Sequence, residues 1–411
     1  MNPELRFKDQ DGNAFPDWEE KKIDKVCRIQ TGSGNTQDKE DDGIYPFYVR
    51  SPIVEHSNKY IFECESVLTV GDGVGVGNVY HYANGKFNCH QRVYAMNEFN
   101  GISGKYFYYF FSTHFGARVK SMTAKTSVDS VRKDMIAKMD IQMPNDMKEQ
   151  SKIATLLSDI DKKIESQATL VEKLKNIKDA MLVKMFPQGE SKVPEIRFDG
   201  FSGDWKKIDV RYLINEAIIE KPMDGNHGEK HPVSSEYVED GIPFLMASDV
   251  KDGKVDLDNC KFISKSRAEK LDKGFARNND VLLTHKATIG ETGILTGLNT
   301  EYAMLTPQVT YYRIIDNKKL NHFYLYSAFM SKQFQKDIHI AATQSTRSYI
   351  GIVKQHKLKI WFPIDIQEQE KIGQFFSNLD KEIEINQQKY KKLGDVKKAL
   401  LSKLFPTKED E

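Results

Sequence analysis

The sequence predicts an α+β protein: two mixed α/β domains separated by two long antiparallel coiled-coil helices, in a pseudo-two-fold tandem repeat. Three observations carry this. A 44-residue segment occurs twice without a gap, both copies carry a helical apolar seam, and the inserts between them are rich in short β-branched and aromatic runs.

The repeat aligns Pro144 to Pro187 on Pro363 to Pro406 at a constant offset of 219, with 19 of 44 positions identical. Among the identities are Glu149/Glu368, Gln150/Gln369, Ile153/Ile372, Asp161/Asp380, Leu174/Leu393 and Phe186/Phe405. Each copy has a matching restart, since Pro3-Glu4-Leu5-Arg6-Phe7 with Asp17-Trp18 returns as Pro194-Glu195-Ile196-Arg197-Phe198 with Asp204-Trp205. The expected division is a first insert over 1–143, a first repeated helix over 144–187, a second insert over 188–362 and a second repeated helix over 363–411.

In the first copy Ile153, Leu157, Ile160, Ile164, Val171, Leu174, Met181 and Met185 follow the mostly alternating four-and-three spacing of a coiled-coil seam. The second copy repeats it with Ile372, Phe376, Leu379, Ile383, Tyr390, Leu393, Leu400 and Leu404. Prolines bound both segments, leaving helices of roughly 36 residues and roughly 54 Å at 1.5 Å per residue. That is too long for burial in one small domain, so the two helices are expected to pair antiparallel as a spacer. Gln167 and Asn386, polar at central seam positions, would then face each other and set the register. A coil that only dimerises or stiffens the protein is the plainer account, so the seam by itself names no function.

The inserts become basic just before each helix. Between Ile102 and Lys133 stand Lys105, Arg118, Lys120, Lys125, Arg132 and Lys133 against Asp129 alone. Between Lys318 and Lys359 stand Lys318, Lys319, Lys332, Lys336, Arg347, Lys354, Lys357 and Lys359 against Asp337 alone. Basic stretches attract a phosphate backbone, and interleaved polar side chains can bond base edges. The candidate contacts are therefore Lys120, Lys125, Thr126 and Ser127 in the first insert, with Gln344, Ser345, Thr346 and Arg347 in the second. Two loops after strand-like runs, Gly71 to Gly77 and Thr284 to Gly290, add Lys286 and Thr288, and later strands add Gln91, Arg92 and Gln308. The first loop completes neither a dinucleotide fingerprint nor a phosphate-binding P-loop, and a hairpin or strand-end turn is the favoured account. The aromatic run Tyr106 to Phe111 cannot turn six rings towards one ligand and is assigned to the core.

Composition narrows the class. Sixty basic residues nearly cancel fifty-nine acidic ones, so any nucleic-acid affinity must be local. Cys27, Cys64, Cys89 and Cys260 lie far apart without CxxC spacing, which suits reduced thiols. The charged, proline-broken opening is unlike a secretory signal and no apolar run approaches membrane-spanning length, so a cytoplasmic protein without membrane contact is expected. There is no Asn-Pro-Pro-aromatic or Asp-Pro-Pro-Tyr element, no Walker A loop, no HExxH helix and no GxSxG elbow. Methyltransferase, ATPase, nuclease and hydrolase readings lose their usual support, and no metal or cofactor is expected on this chain.

Two variable inserts alternating with two repeated helices, with Pro-x-x-x-x-Glu-Gln-x-x-Ile at Pro144 to Ile153 and Pro363 to Ile372, resemble the specificity subunits of type I restriction-modification systems. The resemblance covers essentially the full chain but not, residue by residue, the inserts. It implies that each insert is a target-recognition domain reading one half of a bipartite double-stranded DNA site, while the helices set the spacing. It further implies that two modification subunits using S-adenosylmethionine methylate adenine N6, that ATP- and Mg2+-dependent restriction subunits cleave, and that this chain is itself non-catalytic. The rival is a two-armed coiled-coil scaffold binding proteins instead of DNA; a free-standing nuclease is a more remote one.

Overall fold

The computed structural model describes residues 3–123, 130–343 and 349–405, which fall into two compact units. Unit 1 comprises residues 1–168 with 388–411, and unit 2 residues 169–387. Each unit therefore takes one end of each repeated helix.

In unit 1 the restart strand Trp18–Lys22 pairs antiparallel with Asp140–Pro144, the strand that feeds the first long helix, with Trp18 opposite Pro144. The main six-stranded sheet runs in the order Arg28–Thr31, Val93–Asn97, Phe62–Val70, Tyr80–Cys89, Tyr45–Tyr48, Glu55–Ser57. It is antiparallel except where Tyr45–Tyr48 runs parallel to Tyr80–Cys89. The aromatic helix Gly104–Thr123 lies in the same core: Tyr106, Phe107 and Phe111 of the expected run are fully buried, and Phe115 joins them. At about 1.5–3 kcal/mol per large apolar side chain buried, this row is a principal support of the unit.

Unit 2 is more divided. A four-stranded sheet (Met223–Asp224, Val309–Tyr312, Val281–Thr284, Thr292–Ile294) stands beside a five-stranded one (Tyr237–Val238, Lys261–Ile263, Ile242–Leu245, Ala303–Leu305, Phe275–Ala276). The restart again pairs antiparallel with the strand before the helix, Lys206–Asp209 with Lys359–Phe362. The second aromatic segment forms the helix His322–Met330, with Tyr324, Leu325 and Phe329 fully buried.

The repeated Glu-Gln is explained by what it touches. Glu149 is fully buried at the start of the helix Met147–Lys184 and accepts hydrogen bonds from Arg6 Nε at 3.2 Å, Arg6 Nη2 at 2.9 Å and Trp18 Nε1 at 3.2 Å. Gln150, also fully buried, donates to the carbonyls of Pro144 and Gly101 and accepts from the Ser103 amide. In unit 2 Glu368 accepts from Arg197 at 2.7 and 2.9 Å, and Gln369 donates to the carbonyls of Pro363 and Lys319 and accepts from the Asn321 amide. The motif thus joins the start of each long helix to its restart segment and to its aromatic helix, and it satisfies buried polar groups that would each be costly alone.

The long helices span Met147–Lys184, 38 residues, and Ile366–Leu404, 39 residues. In unit 1 Ile153, Ala154 and Leu157 share a core with Leu404 and Phe405, and Asp161 bridges Lys397. In unit 2 Leu182, Met185 and Phe186 share a core with Ile372 and Phe376, and Lys178 bridges Asp380. Tyr390 departs from the expected seam, being 45% exposed. The polar run Gln387-Gln388-Lys389 and Lys391-Lys392 interrupts the apolar stripe there, and a ring ending in a hydroxyl tolerates water.

Candidate nucleic-acid interface

In unit 1 the strand Phe62–Val70 ends in the loop Gly71 to Gly77. Gly71 donates its amide to the Arg92 carbonyl at 2.8 Å, and a Cβ at Gly71 would stand 2.9 Å from that oxygen, so only glycine allows this approach. The loop then brings in a cluster of charge. Asp72 is bonded by Arg50 Nη1 at 3.1 Å and by Arg92 Nη1, and it forms a β-bridge with Ser130. Burial raises the pKa of Asp72, but its bonds to Arg92 and Arg50 outweigh this and hold the carboxyl below its usual range. Beside it Gln91 Nε2 donates to Asn35 Oδ1 at 2.7 Å, and the Arg92 amide donates to His90 Nδ1. Burial, then the Arg50 and Arg92 charges, lower the pKa of His90 and favour a neutral ring.

Unit 2 has the same backbone plan with different side chains. After Val281–Thr284 the His285 amide donates to the Gln308 carbonyl, the Ile350 amide donates to the His285 carbonyl, and Lys286 forms a β-bridge with Tyr349. The loop is seated by Gln335, whose Nε2 donates to the Gly290 carbonyl at 2.8 Å. Next to it is a cleft of about 470 Å3 lined by Asp224, His227, Lys273, Tyr349 and Lys354. Asp224, buried, accepts from His227 Nε2 at 2.8 Å and from Lys273 Nζ. His285 is fully buried and, among the described residues, neither ring nitrogen has a hydrogen-bond partner; burial lowers its pKa to about 4.

The expected contact residues distribute as follows. Gln91, Arg92, Lys286 and Thr288 are exposed and Gln308 is half-buried. Gln91 and Gln308 sit in the turns just before Val93–Asn97 and Val309–Tyr312, not on the strands, which places them beside the two loops. Lys120 is exposed near the end of Gly104–Thr123. Lys125, Thr126, Ser127, Gln344, Ser345, Thr346 and Arg347 lie outside the described residues. Each of those two stretches ends just before the residue that bridges a loop, Ser130 in unit 1 and Tyr349 in unit 2. Of the register residues, Asn386 is buried and donates to the Glu382 carbonyl at 2.7 Å, and Gln167 is half-buried. Arg50, Asp224, His227 and Lys273 escaped the sequence reading, because each is a single charged residue outside any basic run and only the folded sheets bring it to the loop. No group of side chains suited to a metal ion, and no helix long and apolar enough to cross a membrane, occurs among the described residues.

Residues 16–176 and 226–394 each match the type I restriction modification DNA specificity domain. Over 429 aligned residues the chain is 24% identical to the type I restriction enzyme MjaVIII specificity subunit of Methanocaldococcus jannaschii, covering 98% of this chain and 96% of that one. It is 25% identical over 169 residues to the EcoDI specificity subunit of Escherichia coli, covering 40% of this chain and 36% of that one. Its fold is similar to the crystal structure of the type I restriction-modification S subunit of Mycoplasma genitalium, with a TM-score of 0.70 at 18% identity over 99% of this chain and 100% of that one.

Proposed function

The chain belongs to the type I restriction modification DNA specificity family, and from that premise we propose that it reads a two-part DNA target, one part with each unit, for partner subunits that carry the chemistry. Its function is target specificity in such a system. The observation that supports a division of labour is the repeated plan of the two edges. In each unit a strand-end loop is bridged to the residue that follows a polar, basic segment, while the side chains on the two loops differ. Two edges of one design and two chemistries suit two different half-sites. The protein-binding scaffold considered above has no comparable support.

In this reading the two repeated helices pair antiparallel as the spacer between half-sites. The reading draws on repeat symmetry: Asp161 bridges Lys397 within unit 1, and their counterparts at the offset of 219, Asp380 and Lys178, bridge each other within unit 2. The chain itself catalyses nothing. Modification subunits holding S-adenosylmethionine methylate adenine N6, two per complex, and restriction subunits use ATP and Mg2+. Flipping of the adenine would take place in the modification subunit while the two loops grip the duplex on either side.

The test is co-expression with the cognate modification subunit in cells free of adenine methylation, followed by sequencing that detects N6-methyladenine. A split motif with a fixed gap that vanishes when this chain is omitted is the expected result. An assembled complex, competent for S-adenosylmethionine, that leaves no mark would sink the reading.

A further inference from the structure

We propose that Arg50 and Arg92, held by Asp72 between them, are a guanine-reading pair in unit 1; this rests on the reading above, in which unit 1 faces one half-site. The two arginines come from distant parts of the chain, Arg50 after the strand Tyr45–Tyr48 and Arg92 in the turn before Val93–Asn97. They converge because both strands belong to the six-stranded sheet and the loop carrying Asp72 passes between their ends.

Each guanidinium spends only Nη1 on Asp72. Among the described residues Asp72 is the one carboxylate that either arginine bridges, and Nε and Nη2 of both have no bond to another side chain. The side chains are 46% and 57% exposed, while Asp72 is 26% exposed. The carboxylate is thus the inner member and the two arginines are the more exposed ones. Asp72 is itself anchored through the bridge to Ser130 and through the hydrogen bond that the Gly71 amide donates to the Arg92 carbonyl.

The choice between base and phosphate follows from this anchoring. A cation that only neutralises phosphate works from any rotamer, and tying it to a carboxylate halves the local charge for no gain. An arginine that reads guanine must present two coplanar donors to O6 and N7, so a carboxylate that fixes the guanidinium plane improves discrimination even as it reduces net charge. Two cations about one anion still leave a net positive site, which the backbone tolerates. Among the described residues unit 2 has no arginine at its loop; there Asp224 holds Lys273 and His227, a different chemistry beside the edge.

The experiment uses the full complex in the methylation assay above, comparing the native chain with Arg50→Ala, Arg92→Ala, Arg50→Lys and Arg92→Lys. Each substitution should lower the preference for guanine at one position by about tenfold to a hundredfold. Both positions should lie in the same half of the motif, with the other half and the gap unchanged. The lysine variants keep the charge but not the fork, so they should retain methylation at the target while losing the guanine; they also report if an alanine variant fails to fold. An unchanged motif in the lysine variants, a uniform loss of methylation with no relaxed base, or relaxation at a base other than guanine would each overturn the inference and leave the two-half reading standing. No split motif from the native chain would overturn both.

Discussion

Glu149 and Glu368, one per unit, are each held by the arginine of the restart motif, though Trp18 adds a bond to Glu149 that Trp205 does not make to Glu368, whereas Asp72 and Asp224, also one per unit and both beside the candidate reading edge, share no kind of partner. Each glutamate is buried at the start of a long helix and held by an arginine from the restart motif. Asp72 gathers two arginines, and Asp224 gathers a lysine and a histidine. A buried carboxylate constrains its surroundings because any unpaired charge is expensive, so frame residues repeat together or not at all. Asp72, at an open edge, is answerable mainly to what binds there; Asp224 is buried, and its partners come from its own insert. The difference teaches that duplication has preserved the parts that hold the helices and released the parts that face outwards.

The largest expected effect would break the frame side of this comparison. Arg6→Ala and Arg197→Ala should each destabilise the protein by about 3–5 kcal/mol, since each strands a fully buried carboxylate. Denaturant unfolding of the purified chain measures it. Pairing Arg6→Met with Glu149→Leu should restore most of the loss, because an apolar pair carries no desolvation penalty. A cost below about 1 kcal/mol for either single change would mean that the carboxylate finds water, and the frame would be looser than its contacts imply.

Much of this frame is legible in the sequence. The offset of 219 identifies Glu149/Glu368, Gln150/Gln369 and Asp161/Asp380 as equivalent before any contact is known, and the aromatic run Tyr106 to Phe111 is assigned to the core, where Tyr106, Phe107 and Phe111 are fully buried and Tyr108 half-buried. What the motif does is not legible, because its partners Arg6, Gly101 and Ser103 lie 143, 49 and 47 residues away. The edges are less legible still. Basic runs point to Lys120 and loop composition to Lys286, but Arg50 and Lys273 reach their sites through strand order, including the parallel pairing of Tyr45–Tyr48 with Tyr80–Cys89, which no local pattern announces.

A second test concerns the edge of unit 2. His285 is buried with its pKa lowered to about 4, against about 6.5 in an unfolded chain. Above pH 6.5 neither state binds the proton and the full stability is present. As pH falls towards 4 the unfolded state protonates first, so stability is lost across that window, by about 3 kcal/mol at its end. Other histidines with lowered pKa add to acid sensitivity, so the reading is the difference between the native chain and His285→Met. That difference should narrow in the native chain's disfavour by about that amount from pH 7 to pH 4. Parallel stability curves would show that His285 gains a partner or solvent in the folded protein, and the contrast with the ion-paired edge of unit 1 would weaken.

The smallest effect sharpens the comparison within the frame itself, because one repeated triad is buried to different depths. Tyr109 and Lys397 meet Asp161 in unit 1; Tyr326 and Lys178 meet Asp380 in unit 2. The lysine and aspartate side chains are 28% and 34% exposed in the first, 11% and 22% in the second. Solvent screens the first pair more, so Lys397→Met should cost about 1 kcal/mol and Lys178→Met about 2 kcal/mol. Methionine keeps the apolar stem and removes the Nζ, which stands 5.8 Å from the Tyr109 ring centre in unit 1 and 5.7 Å from that of Tyr326 in unit 2, so the change is in charge, hydrogen bonding and the cation–π contact. Double-mutant cycles with Asp161→Asn and Asp380→Asn isolate each coupling, and added salt should erode the unit 1 value more. Equal couplings would mean that identical residues set the energy irrespective of depth; a larger one in unit 2 would mean that the inserts, by covering one triad more than the other, tune a frame whose residues they do not change.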